Sequence, residues 1–181
     1  MKGLIIFSNN MEDSEALSTL ALLRRANLKV DSATINENLH VKTAYGIWVH
    51  ADYHLEDLDL SKYSFLIIPG GPYVDEIINE DILIKKTIKD FNDKNKFIAA
   101  ICAAPRFLGQ LGLLNNKEFT AFPGSEKDAL KGVYLKNKKS HTDGNIITGR
   151  SAGSVVEFSY EIIKNVLNEV EAKKLLTNII Y

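Results

Sequence analysis

Three short runs of consecutive apolar residues constrain the fold of this chain more than any other feature. The runs are Leu4–Phe7, Phe65–Ile68 and Phe97–Ile101, and none alternates between apolar and polar positions. Strands that are apolar at every position are typical of a sheet that is covered on both faces. Crossing a membrane takes about 20 apolar residues, so runs this short indicate buried strands of a folded core.

Helical periodicities separate these runs and complete the predicted architecture. We predict helices over Glu12–Ala26, Ile82–Phe91, from about Pro105, Ser154–Leu167 and Val170–Ile179, with further strands at Leu28–Ile35, Ile47–Val49 and Asn145–Thr148. Strands that alternate with helices imply right-handed crossovers and a mostly parallel sheet. We therefore expect an α/β fold, a three-layer sandwich with helices on both faces of the sheet. Residues 1–181 contain no linker or repeat, which predicts one domain.

The charge balance and the cysteine count exclude several classes of function. Lys and Arg number 22 against 23 Asp and Glu, which leaves no basic excess for nucleic acid or a membrane surface. A single cysteine excludes an internal disulfide and any Cys-rich zinc site. The four histidines show no metal-ligand spacing, so we expect no metal and no cofactor: His40, His50, His54 and His141. The apolar stretch near the amino terminus is too short for a signal peptide, which predicts a cytoplasmic protein.

Cys102 follows the apolar run Phe97–Ile101 and precedes Ala103, Ala104 and Pro105. Small residues allow a sharp turn between strand and helix, and Pro105 suits the first turn of a helix. A thiol at a helix amino terminus lies at the positive end of the helix dipole, which predicts a lowered pKa and a reactive thiolate. Free cysteines are also among the most buried residues, and the local sequence does not decide between a reactive and a structural role.

Two further features could supply partners for that thiol. Pro69 is followed by Gly70 and Gly71, whose backbone N–H groups could stabilise an oxyanion, although for these residues alone an ordinary turn after a strand is the favoured explanation. Glu15 lies in the first turns of the first predicted helix, and a buried carboxyl there could relay a proton. Acidic residues in a first turn are more often solvated partners of the helix dipole, which we expect for Glu12 and Asp13.

Taken together, these segments resemble the ThiJ/PfpI family, and most closely its branch of parkinsonism-associated protein deglycases. The resemblance is carried by four segments: Ala99–Pro105, Pro69–Gly71, Glu15 with Arg24–Ala26, and Thr148–Gly153. It implies the flavodoxin-like, class I glutamine amidotransferase-like form of the sandwich. It also implies that Cys102 is an oxidation-sensitive nucleophile, that a protonated Glu15 carboxyl is hydrogen-bonded to it, and that the amides of Gly70 and Gly71 line the pocket.

The chain departs from the family pattern at three pocket positions. Ala103 stands where peptidase-like members carry a histidine base, and a thiol without that base is poorly equipped to cleave amides. Phe122 replaces a histidine of the deglycase branch, and Tyr45 replaces an arginine that reaches the pocket from a partner subunit. The resemblance keeps Arg24, Arg25 and Arg150 as candidate pocket or anion-binding residues.

The resulting hypothesis is a cofactor-independent glyoxalase or deglycase that acts on a small aldehyde or a glycated substrate. Cys102 would attack the carbonyl, and Glu15 would move the proton. The alternatives are a redox sensor that works through a Cys102 sulfinate and a holdase without catalysis, while an intracellular peptidase is the weakest reading. The resemblance also implies a homodimer, with an interface near the first helix and the segment around residues 15–50.

Overall fold

The computed structural model describes residues 1–181 as eleven strands and six α-helices. The strands are β1 (Lys2–Phe7), β2 (Lys29–Thr34), β3 (His40–Lys42), β4 (Trp48–His50), β5 (Tyr53–His54), β6 (Phe65–Ile68), β7 (Phe97–Ile101), β8 (Glu118–Phe119), β9 (Val133–Tyr134), β10 (Ser140–Asp143) and β11 (Ile146–Gly149). The helices are α1 (Thr19–Arg25), α2 (Tyr73–Ile77), α3 (Leu83–Asp93), α4 (Pro105–Gln110), α5 (Val155–Val166) and α6 (Glu169–Ile179). Short 3₁₀ turns at Leu55–Asp57, Leu60–Lys62, Ser125–Asp128 and Ala152–Ser154 complete the chain.

Seven strands form one sheet in the order β10-β11-β7-β6-β1-β2-β5, and all neighbours are parallel except β10 and β11. Helices α1 and α5 pack together on one face of the sheet, and α3 packs against β6 and β7 on the other. The predicted three-layer α/β sandwich is confirmed. The three apolar runs form β1, β6 and β7, and only Phe97 among their residues is more than slightly exposed.

The strand order places a crevice at the carboxyl ends of the central strands. Strand β2 follows β1 in the chain and lies on one side of it. Strand β6 lies on the other side of β1 and is followed by β7, so the order of the strands reverses direction at β1. Open α/β sheets bind ligands at such a reversal, beyond the carboxyl ends of the strands. Glu15 follows β1, Gly70 and Gly71 follow β6, and Cys102 follows β7, so all three segments emerge at this edge.

The first predicted helix differs from the prediction in a way that affects the site. Instead of one α-helix over Glu12–Ala26, the chain forms a π-helical turn at Ser14–Ser18 and then α1. A π turn holds one more residue than an α turn and often occurs at functional positions. The sequence did not indicate the π-helical turn, because the apolar spacing of α1 continues without a break into that turn.

The strand predicted at Ile47–Val49 belongs to a separate hairpin rather than to the main sheet. Strands β3 and β4 pair in antiparallel fashion, with His40 opposite His50, and pair with no strand of the main sheet. The short edge strands β5 and β10 carry mixed polar sequences and were not predicted, because period-2 patterns need longer runs to stand out. None of the six helices is both long and apolar enough to cross a bilayer.

Candidate active site

Cys102 occupies the sharp turn between β7 and α4, as predicted. Its φ is +65°, in the left-handed region that a residue with a side chain enters at a cost of about 1–2 kcal/mol. Two backbone hydrogen bonds hold the turn: the Cys102 N–H donates to the Gly149 carbonyl at 2.9 Å, and the Phe122 N–H donates to the Cys102 carbonyl at 2.8 Å. The side chain is partly exposed, so the strained turn presents the thiol at the crevice.

Glu15 lies in the π-helical turn with only 1% of its surface exposed. Its Oε2 accepts a 2.9 Å hydrogen bond from the Gly70 N–H, and its carboxyl also interacts with the Ala152 N–H and with the Cys102 thiol. Burial raises the pKa of Glu15 to about 7, although these hydrogen bonds oppose the shift. A carboxyl that titrates near neutral pH is suited to general acid–base chemistry.

Gly70 lies between the thiol and the carboxyl. A Cβ at this position would lie 2.6 Å from Cys102 Cβ, 2.7 Å from Glu15 Oε2 and 2.9 Å from the Ala103 nitrogen. All three separations are shorter than a Cβ atom tolerates, so only glycine fits between these groups. The predicted Cys102–Glu15–Gly70 constellation and Ala103 therefore meet at one point.

The two glycines differ in what their amides can do. The Gly70 N–H is already used by the Glu15 carboxyl and is not free for an oxyanion. The Gly71 N–H has no acceptor within the chain, and the φ of Gly71, +123°, is one that favours glycine. The Ala103 N–H bonds to the Cys102 sulfur. The oxyanion role predicted for both glycine amides is thus open only to Gly71.

The predicted lowering of the Cys102 pKa was wrong. Burial raises the pKa of the thiol, and the nearby Glu15 carboxyl raises it further, while only the Ala103 N–H among the main contacts lowers it. Helix α4 has only six residues, so its dipole lowers the thiol pKa less than burial raises it. The raised pKa keeps the thiol protonated near neutral pH, with the Glu15 carboxyl beside it.

The acidic residues before Glu15 are not the solvated first-turn acids that we predicted. Asp13 is buried, and its carboxylate accepts hydrogen bonds from the Thr43 hydroxyl and from the Tyr45 N–H. Glu12 accepts a 2.6 Å hydrogen bond from the Glu15 N–H and so caps the π-helical turn. These contacts fix the segment that carries Glu15 on one side and the β3–β4 hairpin on the other.

The structure separates the four outer candidate residues. Arg24 donates a hydrogen bond to the Val30 carbonyl and forms an ion pair with Asp52 at 3.4 Å. It lies toward the amino ends of the strands, and Arg25, which is exposed, follows it at the end of α1. Neither is brought to Cys102 within this chain. Tyr45 is 78% exposed on the hairpin loop tied to Asp13. Arg150 follows β11, directly after the Gly149 carbonyl that holds the Cys102 turn.

Sequence reasoning missed a buried arginine next to the nucleophile turn. Arg106 in α4 is 7% exposed and forms ion pairs with Asp75 and Asp128. A single charge inside the otherwise apolar stretch from Ile98 to Leu108 was the available signal. No three His, Cys, Asp or Glu side chains converge in a way that could hold a metal ion.

Comparison with known proteins agrees with this geometry. A model of the DJ-1/PfpI family matches residues 1–165. Protein dj-1beta of Drosophila melanogaster is 27% identical over 174 residues, which cover 96% of this chain and 93% of that protein. An uncharacterized protein of Archaeoglobus fulgidus is 31% identical over 166 residues, which cover 91% of this chain and 97% of that protein.

Solved structures give the same result. The crystal structure of Drosophila DJ-1beta has a TM-score of 0.91 at 26% identity and covers 99% of this chain and 97% of its own. Toxoplasma gondii DJ-1 in an oxidized form has a TM-score of 0.89 at 28% identity and covers 99% and 98%. The flavodoxin-like three-layer sandwich is confirmed, and the chain belongs to the DJ-1/PfpI family.

Proposed function

We propose that this chain is a stress-response enzyme that detoxifies small reactive carbonyl compounds without a cofactor. One observation carries the proposal: the Glu15 carboxyl and Cys102 meet at Gly70 in the crevice, and burial raises the pKa of that carboxyl to about 7. A nucleophile with a proton acceptor beside it is the minimum that aldehyde chemistry requires.

In the first step, the Cys102 sulfur attacks the aldehyde carbon of a 2-oxoaldehyde such as methylglyoxal. The thiol proton passes to the Glu15 carboxylate as the carbon–sulfur bond forms, so that no free thiolate has to accumulate despite the raised thiol pKa. The carbonyl oxygen becomes an oxyanion, and the Gly71 N–H, which has no acceptor within the chain, would donate a hydrogen bond to it. Protonation of that oxygen completes a hemithioacetal.

In the second step, Glu15 removes the proton from the former aldehyde carbon and returns a proton to the neighbouring carbon. This shift oxidises the first carbon to a thioester and reduces the second to an alcohol, so no external electron acceptor is needed. Water then cleaves the thioester, which releases lactate and restores the thiol. A glycated side chain would enter the same route when the Cys102 sulfur replaces the side-chain amine or thiol at the hemiaminal or hemithioacetal carbon. The bond from that carbon to the side chain breaks, the released amine or thiol takes the proton held by Glu15, and the hemithioacetal remains on Cys102.

The absence of a neighbouring histidine supports carbonyl chemistry over peptide cleavage. Ala103 occupies the position after the nucleophile, and Glu15 is the acid–base group that contacts the thiol. Peptide cleavage requires protonation of a poor amine leaving group, whereas aldehyde addition has no leaving group. Phe122, half exposed beside the Cys102 carbonyl, gives this edge of the crevice an apolar rather than a cationic character.

The test is lactate formation from methylglyoxal, resolved by enantiomer, in the wild type and in Cys102→Ala, Glu15→Gln and Glu15→Asp. We expect the rate of lactate formation to fall at least about 100-fold in Cys102→Ala and in Glu15→Gln, since each removes a group that acts in the transition state. Glu37→Gln, which alters an exposed carboxyl that has no part in the proposed mechanism, is the control and should retain wild-type activity. Wild-type turnover no higher than that of Cys102→Ala would refute the proposal.

A second candidate function is redox sensing at the same cysteine. The partly exposed thiol and the Glu15 carboxyl favour it, as does the similarity to a DJ-1 solved in an oxidized form. The sulfur attacks one peroxide to give a sulfenic acid and water, and a second peroxide yields the sulfinate. Intact-mass spectrometry after mild peroxide should find two added oxygen atoms on the wild type and none on Cys102→Ala. An unmodified wild type would exclude this function.

A further inference from the structure

Helix α4, which follows the nucleophile turn, carries a charged side chain in the interior of the protein. Arg106 is buried, and its side chain is only 8% exposed. Its Nε donates to the Asp128 carboxylate and its Nη1 donates to the Asp75 carboxylate. The fork of one guanidinium therefore holds two carboxylates that come from different segments of the chain.

A second pair of side chains repeats this arrangement one turn further along α4. Gln110 Nε2 donates to Asn79 Oδ1 at 3.3 Å and lies 3.4 Å from Asp128 Oδ1. Arg106 and Gln110 are four residues apart, as are Asp75 and Asn79, so each pair lies on one side of its helical segment. Asp128 contacts both members of the α4 pair. The polar contacts thus form a ladder between α4, the α2 segment and the 3₁₀ turn Ser125–Asp128.

Each of the three joined segments carries a part of the candidate site. Helix α2 begins at Tyr73, two residues after Gly71, and α4 begins at Pro105, three residues after Cys102. The turn that ends at Asp128 follows Phe122, whose N–H holds the Cys102 carbonyl. The ladder therefore connects the glycine pair, the nucleophile and the backbone donor that supports the nucleophile turn.

A purely stabilising role is a poor explanation for a buried arginine. Desolvation of a buried charge often cancels the attraction to its partners, and apolar replacements of similar volume are often neutral or stabilising. Apolar packing already joins the same elements, since Tyr73 of α2 and Phe107 of α4 lie with ring centroids 6.4 Å apart. A guanidinium provides an orientation that apolar packing does not, because its planar donors fix the positions of both carboxylates.

We propose that Arg106 is a positioning residue that sets the register between the Gly70 segment and the Cys102 turn. The Gly70 segment and the Cys102 turn can shift little relative to each other, because Gly70 already lies against both Cys102 and Glu15. A shift of α2 relative to α4 would move the Gly70 N–H that holds Glu15 away from the thiol. This inference deepens the proposed function and rests on its Glu15–Cys102 pair, but not on the identity of the substrate.

The test measures how strongly Glu15 controls the reactivity of Cys102, the only thiol in the chain. The rate of alkylation by iodoacetamide is recorded from pH 6 to pH 9 with Glu15 present and with Glu15→Gln. The rate with Glu15 divided by the rate with Glu15→Gln is here named the Glu15 factor. The same two rates are then measured, and the factor calculated, in Arg106→Met, Asp75→Asn and Arg106→Lys. Because Asp75 is 70% exposed, Asp75→Asn removes one arm of the ladder and should fold even if Arg106→Met does not.

We expect the Glu15 factor to fall at least about threefold in Arg106→Met and Asp75→Asn, because residues in one network couple energetically. Arg106→Lys should restore it in part, since lysine keeps the charge but not the fork. Lys94→Gln, which breaks the surface pair between Lys94 and Asp90, is the control and should leave the factor unchanged. A fall of the melting temperature with an unchanged Glu15 factor would reduce Arg106 to a structural residue and overturn the proposal.

The outcome is separable from that of the proposed function. A normal Glu15 factor with no lactate formation would refute the aldehyde chemistry and leave the positioning role to be decided by the Arg106 variants. A Glu15 factor of one in the parent protein would overturn the positioning role directly, because Glu15 would then exert no control that Arg106 could set.

Discussion

The backbone N–H of Gly70 donates a 2.9 Å hydrogen bond to Glu15 Oε2, and the two residues are 55 positions apart in the chain. The same Gly70 faces Cys102 so closely that a Cβ would lie 2.6 Å from Cys102 Cβ. This one residue therefore orients the carboxyl and sets its distance from the thiol. The predictions below follow from that arrangement and from the segments that support it.

Gly70→Ala should disrupt the site and destabilise the protein. The added methyl group would clash with Cys102, Glu15 and the Ala103 backbone, and overpacking of this kind costs about 1–3 kcal/mol. Gly153→Ala is the matched control, because a Cβ there meets nothing closer than 3.9 Å. Urea unfolding and Cys102 alkylation check both variants, and equal behaviour of the two would contradict the described packing.

The stability of the protein should fall as the pH rises from 5 to 8. Burial raises the pKa of Glu15 from 4.5 to about 7, so the folded state binds this proton more tightly than the unfolded state does. The stabilisation by the bound proton is complete below about pH 4.5 and is lost as the pH rises through about 7. The full shift corresponds to a change on the order of 3 kcal/mol in the free energy of unfolding.

Urea unfolding of the wild type and of Glu15→Gln over this pH range checks the assignment. Glutamine cannot ionise, so its curve should lack the Glu15 contribution and should show the higher relative stability at pH 8. Glu37→Gln, at an exposed position, should follow the wild type. Parallel curves for the wild type and Glu15→Gln would mean that Glu15 titrates as an ordinary solvated carboxyl.

Asp13→Ala should loosen the β3–β4 hairpin and weaken the site. The substitution leaves the buried Thr43 hydroxyl and the Tyr45 N–H without their acceptor, and each unsatisfied group costs about 1–3 kcal/mol. Hydrogen exchange at the Tyr45 amide should accelerate, and the urea midpoint should fall. Ser14→Ala changes an exposed neighbour and should alter neither. Unchanged exchange at Tyr45 in Asp13→Ala would show that the hairpin is held by other contacts.

The chain should form a homodimer through the face that carries the β3–β4 hairpin. Tyr45, Ile47 and Trp48 are 78%, 49% and 64% exposed, and apolar groups clustered in this way are typical of an interaction surface. Trp48→Glu should shift the mass measured by light scattering toward the monomer. Leu130→Glu alters a comparably exposed apolar residue outside the hairpin and should not. A monomeric wild type would contradict the expectation.

Much of the site could be predicted before any coordinates, but not its electrostatics. Cys102, Glu15 and Gly70 were identified from short segments that resemble a known family, and the structure brings all three together. The thiol pKa was predicted in the wrong direction, because the helix dipole can be read from the sequence whereas burial by distant segments cannot. Asp13 was misread for the same reason, since its partners Thr43 and Tyr45 lie on a hairpin about 30 residues away.

The amino-acid sequence was sufficient to predict the fold class and the edge of the sheet at which the candidate site residues meet. Uniformly apolar strands that alternate with helices leave few arrangements other than a parallel sheet covered on both faces, and such sheets collect their loops at the carboxyl ends. The three-dimensional arrangement was needed to show that the Glu15 carboxyl lies beside Cys102, that the Gly71 amide remains free and that Arg106 is buried near the Cys102 turn. These properties depend on contacts between residues far apart in the chain, and distances and desolvation across such contacts are not encoded in any local pattern.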